Sequence, residues 1–118
     1  MPVFIGHAEA VNVEFNRPIT VEEARKALRD FAGISVVDHR ADEGYATPAE
    51  IAGEDLVYVS RIRKDPTVTN GLTFWVVADN LRKGAATNAV QIAEVLTGRY
   101  LDRKGRATPQ LRTVPALS

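Results

Sequence analysis

The most constraining feature of this sequence is the run 72–78, which is almost entirely apolar. A strand with one face in water alternates apolar and polar residues, whereas a strand covered on both faces reads as a continuous apolar run. The run therefore predicts a central strand of a sheet. The alternating stretch 56–64 precedes it, and the segment between them contains the pair Asn70-Gly71, which favours a turn. We predict that the two strands pair as an antiparallel hairpin.

The alternation within 56–64 also predicts which side chains share a face of the sheet. Strict period-two spacing places Tyr58, Ser60 and Ile62 on one face and the intervening residues on the other. The same rule predicts another half-buried strand over 9–16, which ends before Pro18 because proline cannot donate to a ladder.

An amphipathic helix is predicted directly after this strand. Thr20 is followed three residues later by Glu23, the spacing of a capping box. Apolar residues then recur at helical spacing as far as Phe31, and Gly33 occupies the position that favours a left-handed residue after a helix.

Shorter signals complete the predicted element order. They indicate a strand over 34–37, one or two helical turns from Thr47, and a last helix over 81–96. The order predicts an α+β fold with a mostly antiparallel sheet and helices packed on one face. We expect residues 1–97 to form this domain. Residues 98–118 contain five basic residues, one acidic residue and two prolines, and we expect a flexible basic tail.

Composition excludes several classes of chemistry. The 118 residues contain no cysteine, so the chain has no disulfide, no thiolate metal ligand and no cysteine nucleophile. Fifteen basic and 15 acidic residues balance, which gives no electrostatic reason to expect nucleic acid or an anionic membrane as a partner. No apolar run approaches the about 20 residues of a membrane span, and a cytoplasmic location is expected. No metal site is predicted.

Three places could carry chemistry. His7 lies just before the first strand, and histidine moves protons near neutral pH, although a lone histidine there is more often a surface residue. Arg61 and Arg63 are two apart on a strand and could clamp an anion, or could simply lie on a solvated face. The segment 79–86 offers small residues and a helix start to a phosphate or nicotinamide, or to a neighbouring domain.

Together these segments are far more specific than each is alone. Residues 2–14, PVFIGHAEAVNVE, closely resemble the histidine segment of aspartate-semialdehyde dehydrogenase. Further segments in that family's order are 53–55, 61–65, 70–72, 75–86 and 88–94. The resemblance covers residues 2–96 and implies the fold of the family's dimerisation domain.

The resemblance also implies an activity and roles for two residues. Members of the family reduce aspartyl phosphate to aspartate semialdehyde with NADPH, in the biosynthesis of lysine, threonine, methionine and, in bacteria, diaminopimelate. A cysteine attacks the acyl phosphate and forms a thioester. His7 matches the acid/base histidine, and Asn80 matches a position that contacts the cofactor. The sheet would form a homodimer, and the last helix would pack on the nucleotide-binding half.

The departures from the family are as informative as the match. The family's nucleophilic cysteine and glycine-rich nucleotide loop lie upstream of the histidine and have no counterpart here. We therefore expect a C-terminal fragment of an NADP-dependent enzyme that lacks the N-terminal nucleotide-binding half. Alone it should be inactive and should not bind NADP tightly. The alternative is a stand-alone dimerisation or interaction module without catalytic activity.

Overall fold

The computed structural model describes residues 2–39 and 44–99. Four strands and two helices follow in chain order: β1 (His7–Glu14), α1 (Val21–Arg29), β2 (Ile34–Val36), β3 (Val57–Asp65), β4 (Gly71–Ala78) and α2 (Thr87–Arg99). An irregular turn, Arg82–Ala86, lies between β4 and α2. The tail prediction for 98–118 lies outside the described residues, except that Gly98 and Arg99 belong to α2.

The strands form one mixed sheet in the order β1-β4-β3-β2. β4 pairs antiparallel with both β1 and β3, while β2 pairs parallel with β3. The apolar run therefore lies in a central strand, and the predicted hairpin of β3 and β4 is confirmed. The α+β class and the mostly antiparallel sheet are also confirmed.

Each face of the sheet carries its own hydrophobic cluster. On one face, Ala24 of α1 packs with Val59, Ile62 and Leu72, which is 1% exposed. The residues of the other cluster come from both strands and loops: Ala8, Ala46, Ile51 and Val77, with Tyr58 and Trp75 packed against them. The opposite face is thus covered by the loop that precedes β3. No residue of α2 is buried against the sheet. The packing of both helices on one face of the sheet therefore stays a prediction.

The capping box at the start of α1 is confirmed. The Glu23 N–H donates to Thr20 Oγ1 at 3.1 Å, and the Thr20 N–H donates to Glu23 Oε2 at 2.7 Å. The predicted end of the helix is wrong. α1 ends at Arg29 with Asp30 as its C-cap, and the next residue, Phe31, donates its N–H to the Leu28 carbonyl at 3.3 Å in a tighter turn. Gly33 does have a positive φ of 87°, but it serves the entry into β2.

The predicted alternation along β3 is wrong beyond Ser60. The pairing with β4 shifts register between Ser60 and Arg63, and Arg61 adopts a left-handed φ of 55°. Such a bulge inserts one extra residue and reverses which face the following side chains occupy. Ile62 consequently packs with Val59 on the α1 face, opposite to the face of Tyr58.

Two helix predictions need correction. Only one contact of the expected capping box forms at Thr47, whose N–H donates to Glu50 Oε2 at 2.9 Å, and only a turn follows. The last helix begins at Thr87 instead of residue 81, because the backbone at Lys83, Gly84 and Ala85 is not helical.

Candidate functional site

His7 and Asn80 lie at the same end of the sheet. His7 faces Ala78 in the antiparallel register of β1 and β4, and Asp79 and Asn80 follow directly after β4. The two residues singled out by the sequence are therefore brought together by strand pairing, although 73 positions separate them in the chain. Asn80 is exposed at this end.

The His7 side chain is oriented by a carboxylate. His7 Nε2 lies 2.7 Å from Glu9 Oε1, and both side chains are more than half exposed. An ionised carboxylate only accepts hydrogen bonds, so a hydrogen bond here requires the form of the ring that carries a proton on Nε2. Residues two apart on a strand share a face, which is why the pair forms within β1. The arrangement holds an accessible imidazole in one orientation.

The backbone immediately before His7 is tightly packed. Gly6 has a φ of 79°, and a Cβ built there would lie 3.2 Å from Pro48 Cβ and 3.3 Å from the Ala78 carbonyl oxygen. Only glycine meets both the backbone conformation and the space. Gly6 thus fixes where the His7 backbone enters the sheet.

Substituting Gly6→Ala tests this constraint. We expect a loss of about 1–2 kcal/mol from the left-handed backbone, and a further loss from the contacts with Pro48 and Ala78. Gly33→Ala is the matched control, because Gly33 is also left-handed but a Cβ added there would meet no other atom within 4 Å. Urea unfolding of both variants measures the difference. Equal losses in the two variants would show that packing at Gly6 is unimportant.

The loop before β3, residues 44–56, is anchored on the sheet and is called the bridging segment here. Its Ala46 N–H donates to Ser60 Oγ at 3.1 Å, and its Ala46 carbonyl accepts from Trp75 Nε1 at 3.0 Å. Ser60 is fully buried. Both backbone groups of Ala46 are therefore satisfied by side chains of the sheet, which holds the segment over Val77 and Ala8.

Asp79 links the bridging segment to the turn that carries Asn80. Its Oδ2 accepts from the Gly53 N–H at 2.8 Å and its Oδ1 accepts from the Leu81 N–H at 3.0 Å. These two bonds hold the pKa of the buried Asp79 carboxyl below its usual value, with the Gly53 bond the larger cause. The backbone on both sides of Asn80 is thereby fixed.

Asp79→Asn should weaken this link and change its pH dependence. The lowered pKa means that ionised Asp79 stabilises the fold above about pH 4, and that this contribution is lost as the pH falls through the folded-state pKa. We expect the variant to melt several degrees lower at pH 7 and to lose less Tm than the parent between pH 7 and pH 3. Asp30→Asn, at an exposed carboxylate, is the control. Identical melting curves for parent and Asp79→Asn across this range would contradict the assignment.

A carboxylate of the bridging segment, Asp55, holds the start of α2. Asp55 Oδ1 accepts from Arg82 Nε at 2.8 Å and from Thr87 Oγ1 at 2.8 Å. The Arg82 bond, followed by the Thr87 bond, holds the pKa of Asp55 below its usual value. The sequence pattern around Asp55 indicates only a turn residue. Its hydrogen-bond partners lie about 30 positions away in the chain. Among the sequence signals, only the family resemblance of segment 53–55 includes Asp55.

The segment 79–86 does not form the predicted helix start. Gly84 has a φ of 94°, and the neighbouring residues depart from helical geometry, so the chain makes an irregular turn before Thr87. Lys83 Nζ donates to Gln91 Oε1 at 2.7 Å, which ties this turn to α2.

The two arginines of β3 do not form a shared anion clamp. The Arg61 guanidinium lies 5.6 Å from the centre of the Tyr45 ring, in cation–π range. Arg63 Nη1 instead donates to the Arg61 carbonyl at 3.0 Å. The bulge between Ser60 and Arg63 separates their directions, which the i, i+2 spacing could not reveal.

A groove beside α1 is lined by equal numbers of basic and acidic residues. Its volume is about 390 Å³, and three basic and three acidic residues line it: Glu22, Arg25, Lys26, Arg29, Asp30 and Asp38. Arg25 Nη2 lies 2.6 Å from Asp38 Oδ2, and both side chains are largely buried. The groove therefore presents no excess of one charge to a ligand.

Residues 2–39 and 44–99 hold neither a metal cluster nor a membrane-spanning helix. Within those ranges, no three histidine, aspartate or glutamate side chains come together as a metal site would require. Neither described helix has the length and apolar content needed to cross a bilayer.

Comparison with known proteins identifies similar sequences. The family profile described as "Semialdehyde dehydrogenase, dimerisation domain" matches residues 1–83. An aspartate-semialdehyde dehydrogenase of Rickettsia bellii is 46% identical over 101 residues, which cover 86% of this chain and 30% of the relative. One of Aquifex aeolicus is 51% identical over 96 residues, covering 81% of this chain and 28% of the relative. The chain thus spans about 30% of the length of these relatives.

Solved structures give the same result. The crystal structure of aspartate semialdehyde dehydrogenase II from Vibrio cholerae, complexed with ASA, superposes with a TM-score of 0.77 at 46% identity. The match covers 85% of this chain and 29% of that one. A Francisella tularensis aspartate semialdehyde dehydrogenase, at 21% identity and a TM-score of 0.73, shares the fold.

Proposed function

Because the chain belongs to the semialdehyde dehydrogenase family, as its dimerisation domain, we propose that it is the C-terminal part of an NADP-dependent aspartate-semialdehyde dehydrogenase. The complete enzyme would act in the cytoplasm and reduce aspartyl phosphate to aspartate semialdehyde, for lysine, threonine and methionine biosynthesis. The observation that carries the proposal is the juxtaposition of His7 and Asn80 at one end of the sheet, set by the register of His7 with Ala78.

His7 is proposed as the acid/base group. Its ring is accessible and is oriented by Glu9 at 2.7 Å, so it can accept a proton on one nitrogen while the other faces the carboxylate. The nucleophile it would assist is a cysteine, and the chain contains none. The thiol and the nucleotide-binding fold must come from the missing N-terminal half, so this chain alone is proposed to be inactive.

Asn80 is proposed to contact the cofactor. It is exposed beside the His7 end of the sheet, and the bonds from Gly53 and Leu81 to Asp79 fix its backbone. An amide side chain offers both a donor and an acceptor, which suits a polar cofactor group. When bound, NADPH supplies the hydride for the reduction. A single amide fits as one contributor to such a site, so tight binding requires the missing half.

A chimera tests the proposal. Residues 2–99 would replace the corresponding C-terminal part of the Aquifex aeolicus relative, which is 51% identical in this region. We expect the chimera to reduce NADP with aspartate semialdehyde and phosphate, and the isolated chain to show no such activity. Activity of the purified chain alone would refute the proposed division of the active site. A folded chimera without activity would refute the proposed function.

The alternative function is a stand-alone dimerisation or interaction module without catalysis. It is favoured by the exposed apolar side chains of α2, including Val90, Ile92 and Leu96. Such a surface calls for a partner. The first proposal assigns it to the missing N-terminal half, whereas the alternative assigns it to another protein. Binding of the isolated chain to a separately produced N-terminal half of the relative supports the first assignment.

A further inference from the structure

The turn that carries Asn80 has few contacts of its own to hold its shape. No residue of Arg82–Ala86 is buried, and Leu81 is 71% exposed. The backbone over 83–85 is not helical, so a regular helical ladder does not hold it. A segment with little buried surface and few regular bonds opens easily. The position of Asn80 therefore depends largely on contacts from outside the turn.

The first such contact precedes Asn80. The Gly53 N–H donates to Asp79 Oδ2 at 2.8 Å, and the Leu81 N–H donates to Asp79 Oδ1 at 3.0 Å. Both oxygens of this buried carboxylate accept from backbone N–H groups. Because one of these groups belongs to the bridging segment and the other to the turn, Asp79 joins the two beside Asn80.

The second contact follows Asn80. A single oxygen, Asp55 Oδ1, accepts from Arg82 Nε and from Thr87 Oγ1, each at 2.8 Å. Asp55 lies two positions after Gly53 in the bridging segment. Residues 53–55, called the clamp here, thus hold the turn on both sides of Asn80.

The clamp is itself anchored on the sheet. Ile51, two positions before Gly53, is buried in the cluster that contains Ala8 and Val77. The Glu54 N–H donates back to the Ile51 carbonyl at 3.0 Å, which closes a turn around Gly53. The clamp therefore sets the position of Asn80 relative to the core of the sheet.

We propose that Asp79 and Asp55 are positioning residues for the contact between Asn80 and the cofactor. The inference rests on the proposed function, in which Asn80 contacts NADP. The two carboxylates hold the turn, so that cofactor binding does not have to order the Asn80 amide. Loss of the clamp contacts should raise the KM for NADP and leave kcat near the parent value, since His7 and its contact with Glu9 are unchanged.

The two carboxylates use their oxygens differently, which makes the test specific. Asp79 uses both oxygens as acceptors, whereas Asp55 uses Oδ1 for both of its bonds. An amide side chain offers one acceptor oxygen and one NH2 donor. Asp79→Asn therefore loses one of its two bonds in either orientation. Asp55→Asn can keep both bonds, and Asp55→Ala loses both.

Steady-state kinetics of the chimera measure the effect of these variants. We expect Asp79→Asn and Asp55→Ala to raise the KM for NADP about three- to tenfold, the equivalent of about one lost hydrogen bond. Asp55→Asn should raise the KM less than Asp55→Ala does. Because Asp55 is 52% exposed, its variants test the clamp even if Asp79→Asn fails to fold.

Asp65→Ala is the matched control. Asp65 Oδ1 also accepts two hydrogen bonds, both from Thr67. Asp65 pairs with Gly71 at the start of β4, the opposite end of that strand from Asn80. Its loss should lower stability without changing the KM for NADP.

A double-mutant cycle separates positioning from a merely structural role. If Asp79 acts through Asn80, the clamp has no effect on cofactor binding once the Asn80 amide is removed. Asn80→Ala alone should raise the KM for NADP, and adding Asp79→Asn should raise it by less than about twofold more. A merely structural role would add its full effect in the double variant.

The outcomes distinguish the inference from the function on which it rests. A folded parent chimera without activity would refute the proposed function and the positioning role together. An active chimera whose KM is unchanged by Asn80→Ala would refute the cofactor contact, and the positioning role with it. A KM raised by Asn80→Ala but not by Asp55→Ala or folded Asp79→Asn would refute the positioning role alone. Equal increases in Asp55→Asn and Asp55→Ala would also overturn it, because the Asp55 oxygen would then not hold the turn.

Discussion

Leu72→Ala is expected to lower the free energy of unfolding by about 2–5 kcal/mol, the range for large-to-small substitutions in a core. Leu72 is 1% exposed and lies in the central strand β4. It packs in the cluster that joins α1 to the sheet, so the cavity left by the substitution cannot be filled by solvent-facing side chains. Because small domains are stable by only about 5–15 kcal/mol, such a loss should be evident as partial unfolding at moderate temperature.

Leu81→Ala is the matched control for this prediction. The same side-chain atoms are removed, but Leu81 is 71% exposed. Its change in unfolding free energy should stay within about 0.5 kcal/mol. Urea titrations followed by far-ultraviolet circular dichroism compare the two variants with the parent. Similar effects at positions 72 and 81 would mean that β4 does not lie in the core.

His7→Gln in the chimera should reduce kcat/KM by about 10²–10⁴-fold, the usual contribution of a general acid/base group. Glutamine retains a polar side chain at the exposed strand start, so the fold should be unaffected. The effect should appear mainly in kcat, since His7 is proposed to move protons instead of binding substrate. Steady-state kinetics at saturating NADP separate the two parameters.

Glu9→Gln is the comparison variant for this prediction. It keeps an oxygen that can accept from His7 Nε2, and it removes the charge that faces the ring at 2.7 Å. We expect a smaller loss than for His7→Gln. Full activity of the His7→Gln chimera, with unchanged unfolding, would exclude the acid/base role of His7.

The fold was largely predictable where local patterns decide it. The apolar run of β4 and the capping box at Thr20 each carry their signal within a few residues, and both predictions are confirmed. The bulge at Arg61 was not predictable. A strict alternation continues through it in the sequence, while the reversal of faces depends on how β3 registers with β4.

His7 was singled out by its residue type and position and Asn80 by the family resemblance, and their roles stay predictions. Only the sheet register shows that the two residues lie at one end of the sheet. The bonds from Arg82 and Thr87 to Asp55, and from Gly53 to Asp79, connect residues 26 or more positions apart. No local spacing encodes such long-range contacts. The start predicted for α2 at residue 81 is wrong, because the backbone at Gly84 and its neighbours is not helical.

The hydrogen bond between Trp75 and Ala46 gives the molecule an internal reporter. Trp75 is the sole tryptophan of the chain, and its indole N–H donates to the Ala46 carbonyl at 3.0 Å. The indole proton therefore gives one nuclear magnetic resonance signal whose solvent exchange measures opening of the bridging segment. Local openings require less free energy than global unfolding. Exchange of this indole proton faster than that of the β4 amides would show that the bridging segment beside His7 opens while the sheet beneath it stays folded.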